Sequence, residues 1–311
     1  MDRRELREKL NRALRFTLKG ALVLSPATLV ACGGLASRTP TTIEISLAAA
    51  ADAGRLPDGG LDCTAACQAV TFLEIQSCAP KALADGGPGL ACTGLQPSET
   101  CGRRPSWLMA QPWPPGAASN VVGTFFAEAH RLEAASVAAF RHLARELRAH
   151  GAPAALIARA RRAAADEVRH ARLTATLARR FEGRPARPVL GAAPVDRGLE
   201  AIEGCVRETH GALVAAWQAR FARDAGVRRA LASIAVDEAR HAELGWAVAT
   251  WAEPRLSPAA RRRLAEARAA SLEGLAGEVD RDVPLELVAL AGLPGRAAGR
   301  RLAENLAREL T

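Results

Sequence analysis

The chain has no Tyr at all and only two Met, and Phe and Trp together bring its aromatic content to just 4%. Lys is nearly as scarce, occurring only at Lys9, Lys19 and Lys81, so Arg carries almost all of the positive charge. No apolar run reaches the ~20 residues that a membrane-spanning helix needs, which excludes a polytopic membrane protein. There is no C-x-x-C pair either, which removes the commonest zinc-ribbon patterns. What is present is a 311-residue chain, 49% hydrophobic and 24% charged. That composition folds, and the length suits one large domain with an appendage.

A formal charge of +9 invites a nucleic-acid reading, in which a basic stripe neutralises phosphates. Residues 1–32 account for +4 of it, leaving +5 for everything else. The remaining Arg alternate with Glu and Asp along helical segments, and no DNA- or RNA-recognition motif accompanies them. The expectation is a solvated surface of mixed charge and no nucleic-acid partner.

The basic residues Arg3, Arg4, Arg7, Lys9, Arg12, Arg15 and Lys19 precede an apolar run from Ala21 to Ala31. About a dozen residues is too short to span a bilayer and suits the core of a signal peptide. Leu29-Val30-Ala31-Cys32-Gly33 then resembles the lipobox of bacterial lipoproteins. The resemblance implies a diacylglyceryl group on Cys32 and cleavage before it. It also implies a chain anchored through lipid in the cell envelope, at the outer membrane or periplasmic face. An ordinary secretory signal with a chance Cys is the alternative. The layout expected here is a signal peptide over 1–31 and a flexible tether over 32–60.

Export exposes the other cysteines to oxidising conditions. Cys63, Cys67, Cys78, Cys92 and Cys101 lie in a Gly/Pro-rich stretch without strong periodicity, read as an irregular, disulfide-stapled arm over 61–119. Zinc is disfavoured there, because the intervening lengths of three, ten, thirteen and eight residues suit no common motif and the stretch holds no His. Five is an odd number. Cys205 is therefore either a sixth disulfide candidate or a buried small hydrophobe, and fifteen pairings of six cysteines stay open. Pro105, Pro112, Pro114 and Pro115 close the arm.

From about Asn120 the composition changes to strong helix formers. Helices are predicted at about 121–149, 153–180, 199–224 and 227–251, with Gly151, Pro153 and Gly226 marking short turns. Short turns make antiparallel hairpins, and the stretch from Phe181 to Gly198 is long enough to cross a bundle end to end. The predicted fold class is all-α: a four-helix bundle over 120–252 with one long crossover. Two further helices, at about 257–276 and 295–310, form an extension over 253–311. That extension would pack outside the bundle or build a homodimer.

Two copies of one motif carry the chemistry. Asp166-Glu167-Val168-Arg169-His170-Ala171 and Asp237-Glu238-Ala239-Arg240-His241-Ala242 both read D-E-x-R-H-A. Glu and His three apart share a helical face, so each helix offers a carboxylate and an imidazole to one side. A lone E-x-x-H means little, but two copies sharing their context, each in the second helix of a hairpin, mean much more. Glu133 precedes Glu167 by 34 residues and Glu208 precedes Glu238 by 30, which places each pair at similar height in its hairpin. Glu203 competes with Glu208, and Glu128 is a weaker candidate on the first helix. His130, His142, His150 and His210 read as surface or hydrogen-bonded structural histidines.

With these residues in place, 120–252 resembles the ferritin-like superfamily of di-iron carboxylate bundles. The resemblance implies that Glu133, Glu167, His170, Glu208, Glu238 and His241 hold two Fe ions, with Mn also suited, and that Asp166 and Asp237 orient the ligand His across the bundle. It further implies O2 or peroxide as small-molecule substrate, an electron donor that is not identified, and ferroxidase, peroxidase or oxygenase activity not distinguished from one another. Having no Tyr removes storage of a tyrosyl radical, and having no C-x-x-C pairs removes a built-in rubredoxin donor. The alternative is a non-catalytic lipoprotein whose helical bundle is a structural or interaction module.

Overall fold

The computed structural model describes residues 1, 3–21, 41–47, 62–70, 74–83, 86–95, 108, 120–191, 205–278 and 283–311. In chain order the elements are α1 (Arg3–Ala21), β1 (Thr41–Ser46), α2 (Cys63–Val70), β2 (Glu74–Ala82), β3 (Pro88–Leu95), α3 (Val121–Ala149), α4 (Ala154–Arg180), α5 (Cys205–Phe221), α6 (Ala225–Ala252), α7 (Pro258–Glu278), α8 (Leu285–Leu290) and α9 (Arg296–Leu310). The protein is mostly helical, as segments of Ala, Leu, Arg and Glu with apolar residues three and four apart should be.

Helices α3 to α6 make the central body as two hairpins, α3 on α4 and α5 on α6. The Asn120 side chain starts α3 by accepting hydrogen bonds from the backbone N–H of Val122 (2.9 Å) and Gly123 (3.2 Å). The first hairpin turns at Gly151, whose φ of +67° lies in the left-handed region that favours glycine. Asp224 starts α6 by accepting from Val227 N–H at 2.9 Å, while Arg180 from the end of α4 grips the same carboxylate at 2.8 Å. Gly123 and Gly183 let the start of α3 touch the end of α4, since a Cβ on Gly123 would sit 2.0 Å from the Phe181 carbonyl oxygen.

The core of this body has three layers along its axis. At one end Val122, Phe126, Leu177, Val227, Leu231 and Ile234 cluster, sealed by Leu287 of α8. At the other, Phe140, Leu143, Leu156, Leu244 and Val248 cluster with Leu264 of α7. The first cluster joins the start of α3 and α6 to the ends of α4 and α5, so the end of α4 and the start of α5 lie at opposite ends of the body. Between the two apolar layers lies a polar one.

Helix α5 is buried on its outer side as well, where Val206, Leu213 and Trp217 pack with Leu275 of α7, Leu302 and Leu306 of α9 and Ala13 of α1. The C-terminal extension thus covers α5. Residues 3–21, read from their charge as the start of a signal peptide, are an amphipathic helix docked here. Leu6 packs on Ala212 and Ala242, and Arg12 pairs with Glu309 at 2.9 Å. The apolar run that follows α1, with Cys32, lies outside the described residues. Among those described, no helix is long and apolar enough to cross a membrane.

The cysteine-rich region departs from the irregular arm that was expected. It holds a three-stranded antiparallel sheet in the order β1-β3-β2, with β1 drawn from the stretch read as a tether. Thr41-Thr42-Ile43-Glu44-Ile45-Ser46 alternates like a strand and is rich in β-branched residues. Its partner is about fifty residues away, with Ile45 opposite Leu90, so local pattern alone understated it. Cys63–Cys78 and Cys67–Cys92 are disulfides that pin α2 to the sheet, with Cα separations of 6.0 and 5.7 Å. Cys101 lies outside the described residues, and Cys205 is a free, buried thiol rather than a disulfide partner.

Candidate metal centre

The polar layer consists of the side chains singled out by the repeated motif. Glu167 and Glu238 stand thirteen residues after the first residues of their helices, Ala154 and Ala225, so the two D-E-x-R-H-A segments occupy equivalent heights. The spacings of 34 and 30 from Glu133 and Glu208 differ chiefly because α5 is shorter beyond Glu208 than α3 is beyond Glu133. The turns, 150–153 and 222–224, differ by a single residue.

Glu133, Glu167, His170, Glu208, Glu238 and His241 are all buried. Their ligand-type atoms fall into two overlapping groups, each within 4.8 Å: Glu133, Glu167, His170 and Glu238 in one, Glu208, Glu238 and His241 in the other. His170 Nδ1 faces Glu238 Oε1 at 3.3 Å and Glu133 Oε2 and Glu167 Oε2 at 3.6 Å. His241 Nδ1 faces Glu167 Oε1 at 3.1 Å and Glu238 Oε1 at 3.5 Å. Glu238 belongs to both groups, and Glu167 reaches both imidazoles. Glu203 lies outside the described residues, and Glu128 is engaged by Arg131 at 2.6 Å.

The outer nitrogens of the imidazoles turn to the aspartates of the opposite motif. His170 Nε2 donates to Asp237 Oδ2 at 3.1 Å, and His241 Nε2 lies 3.6 Å from Asp166 Oδ2. Each aspartate is also held by both motif arginines. Arg169 bonds Asp166 at 3.2 Å and Asp237 more closely, while Arg240 bonds Asp166 at 3.1 Å and Asp237 more closely. The result is a crossed lattice of two Arg and two Asp behind two His. The sequence reading gave these arginines no role, although their recurrence at one slot of the repeat was the available signal. Phe140 closes a further side of the site, with its ring centroid 4.8 Å from that of His241.

The electrostatics follow from burial and crowding. Burial, reinforced by the neighbouring Glu167, pushes the Glu133 carboxyl well above its usual range. Burial opposes ionisation of Glu167 too, but the imidazoles of His170 and His241 beside it, at 3.6 and 3.1 Å, hold its pKa at about 2. Glu238 is likewise lowered by the two imidazoles against its own burial. His170 would be neutralised by burial, yet Glu133, Glu167 and Glu238 drive it up to about 11; His241 is raised in the same way, chiefly by Asp166 and Glu167. Asp166 sits well below the carboxylate range, because His241 and Arg240 outweigh its burial.

Four carboxylates on four helices in a closed interior are costly unless cations compensate them. Protons on the imidazoles do so only in part. Both carboxylate oxygens of Glu167 and of Glu238, Oε2 of Glu133 and Nδ1 of both His still make no hydrogen bond of acceptable geometry. Orphaned donor atoms that converge from several elements, with the other imidazole nitrogens turned to carboxylates, fit a metal site. This buried Glu/His cluster can hold a metal ion.

The remaining candidates lie elsewhere. His130 Nδ1 meets the Ala171 carbonyl at 2.8 Å, His142 faces Glu146 at 3.2 Å, and His150 is exposed where α3 ends. His210 stays neutral, its pKa pushed down to about 4 by burial and Arg207. Cys205, raised by burial, is next to Arg268 in the apolar layer under α7 and α9 and outside both ligand groups. The three cysteines Cys63, Cys67 and Cys78 lie close enough to ligate, but disulfides use them. No family model, curated protein or solved structure matches this chain.

Proposed function

We propose that the chain is a ferritin-like protein that binds two metal ions, Fe by preference and Mn as a substitute, and reduces O2 or peroxide with electrons from an external donor. The observation that carries this reading is the convergence of Glu133, Glu167, His170, Glu208, Glu238 and His241 from four helices into one buried layer. Bound Fe(II) would supply the electrons for O2 or peroxide reduction, one from each ion.

The protein's own part in that chemistry is positional. Glu238, common to both ligand groups, and Glu167, in reach of both imidazoles, are the carboxylates able to span two ions. Asp237 accepts the Nε2 proton of His170, which leaves Nδ1 turned to the ions. Arg169 and Arg240 hold both aspartates in place. The apolar layers on either side exclude water and strengthen every charge interaction within.

The test is metal analysis of protein purified aerobically from iron-supplemented cells. About two Fe or Mn per chain are expected, and Glu167→Ala/His241→Ala, with unchanged helix content, should lose them. A metal-free wild type ends the proposal. Two disulfides support export, and with the Leu29 to Gly33 segment they support a lipid-anchored place in the cell envelope. Mass spectrometry of the mature N-terminus decides that part: an acylated Cys32 is expected, and a chain retaining α1 overturns the anchor without touching the metal site.

A further inference from the structure

Carboxylates and guanidiniums that alternate in the sequence of the first hairpin separate in space. Residues 120–191 contain thirteen Arg and six carboxylates. Glu133, Asp166 and Glu167 are buried at the site, while Glu128 and Glu146 are half-buried against Arg131 and His142. One exposed carboxylate, Glu182, is left among these residues, against eleven exposed Arg. The second hairpin, 205–252, has six Arg and five carboxylates and no such excess. The mixed-charge surface expected from the sequence is therefore corrected on one face: acids turn inward and Arg outward.

The Arg form a stripe. Arg161, Arg162, Arg169, Arg172, Arg179 and Arg180 are exposed on α4 at helical spacing, over roughly 28 Å at 1.5 Å per residue. Arg169 and Arg180 are engaged by aspartates, whereas Arg161, Arg162, Arg172 and Arg179 form no ion pair among the described residues. Beside the stripe, between α3 and α4, runs a groove of about 970 Å³ lined by no carboxylate. Arg141, Arg172, Arg179 and Arg187 line it, together with the apolar side chains Val137 and Val168. Helix α5 is covered by α1, α7 and α9, whereas the segment that leaves α4 borders the groove through Pro185, Arg187 and Pro188 and leaves the Arg stripe of α4 exposed.

We propose that this face docks on an anionic phospholipid bilayer, with headgroup phosphates against the Arg stripe and the apolar side chains of the groove against the lipid. Charge complementarity carries the assignment. Arg presents a planar fork that matches phosphate, and unpaired Arg lose no ion pair on contact. A nucleic acid is the weaker occupant, since no exposed residue of α3 or α4 is aromatic and bases have nothing to stack on. The contact depends neither on the metal site nor on a lipid at Cys32.

Each Arg close to an anionic surface is worth about 1 kcal/mol, or about fivefold in partitioning. The test is flotation of the full-length Cys32→Ser chain with vesicles of phosphatidylcholine, alone or mixed with phosphatidylglycerol. The chain should float with the mixed vesicles only, and less at high salt. Arg161→Gln/Arg162→Gln/Arg172→Gln/Arg179→Gln should lose several hundred-fold in partitioning, with unchanged helix content and metal content. The equally charged control Arg220→Gln/Arg229→Gln/Arg261→Gln/Arg263→Gln, altered at exposed sites elsewhere, should keep most of its binding. No binding by the parent chain, or equal loss in both variants, overturns the proposal. So does tighter binding to a DNA or RNA oligonucleotide that the α4 variant abolishes, which would make the face a nucleic-acid site.

Discussion

Replacing Glu133 by Leu separates a metal ligand from a stabilising polar contact. In the metal-free protein this carboxyl is buried beside Glu167 and its pKa is pushed well above 4.5. An acid raised in the folded state destabilises it progressively as pH climbs above the unfolded value, by about 1.4 kcal/mol per pH unit until the folded value is reached. At neutral pH the penalty amounts to as much as about 3 kcal/mol. Leu removes that penalty, while His170 keeps Glu167 and Glu238 as partners. Chelator-stripped Glu133→Leu should therefore be more stable than stripped wild type by about 1–3 kcal/mol at neutral pH. Its advantage should widen as pH rises above the unfolded value until the raised folded value is reached. The imidazoles add to the wild type's alkaline loss: their contribution is complete below about 6.5 and falls away as pH rises towards the raised value, about 11 for His170. Urea denaturation at several pH values, with metal analysis of unstripped protein, reads both effects. The reasoning fails if the stripped variant is less stable than wild type, or if the variant still fills its metal site.

Two more perturbations probe the shell and the scaffold. Asp237→Ala removes the acceptor of His170 Nε2 while leaving every ligand-type side chain present, so metal affinity should fall about 10- to 100-fold by competition titration with retained helix content; unchanged affinity would deny Asp237 its orienting role. Gly123→Ala places a Cβ 2.0 Å from the Phe181 carbonyl oxygen, and rigid backbone cannot give way as a side chain could. Its cost should be about 3 kcal/mol in urea denaturation, and a loss below about 1 kcal/mol would mean that the α3–α4 junction is softer than its geometry suggests.

Much of the site was legible because helical periodicity is local. Glu-x-x-His on one turn shares a face whatever surrounds it, and the duplicated D-E-x-R-H-A segment marked two equivalent turns. The crossing of His170 to Asp237 and His241 to Asp166 needed two helices side by side, but the repeat already paired them in kind. Arg169 and Arg240 share the motif but take no role from it, since an Arg on a helix has no direction until its neighbours are placed. The sheet was missed because β1 and β3 find each other across some fifty residues, and the spacing of cysteines carries no information about which thiols meet. The docking of α1 was missed because basic residues and a following apolar run hid the spacing of Leu6, Leu10, Ala13 and Leu14, which pack on the body.

By itself, the sequence determined the helical class, the hairpins of the body, the turn at Gly151, and which Glu and His could share a face; it set the second turn at Gly226, one residue inside the helix that Asp224 starts. Each rests on interactions within a few residues, where chain geometry leaves little choice. Only the tertiary structure decided that the two ligand groups overlap at Glu238, that Cys205 stays a lone thiol, and that the first hairpin turns its carboxylates inward and its Arg outward. Those outcomes depend on which surfaces are removed from water, and burial is a property of the packed chain rather than of any segment in it.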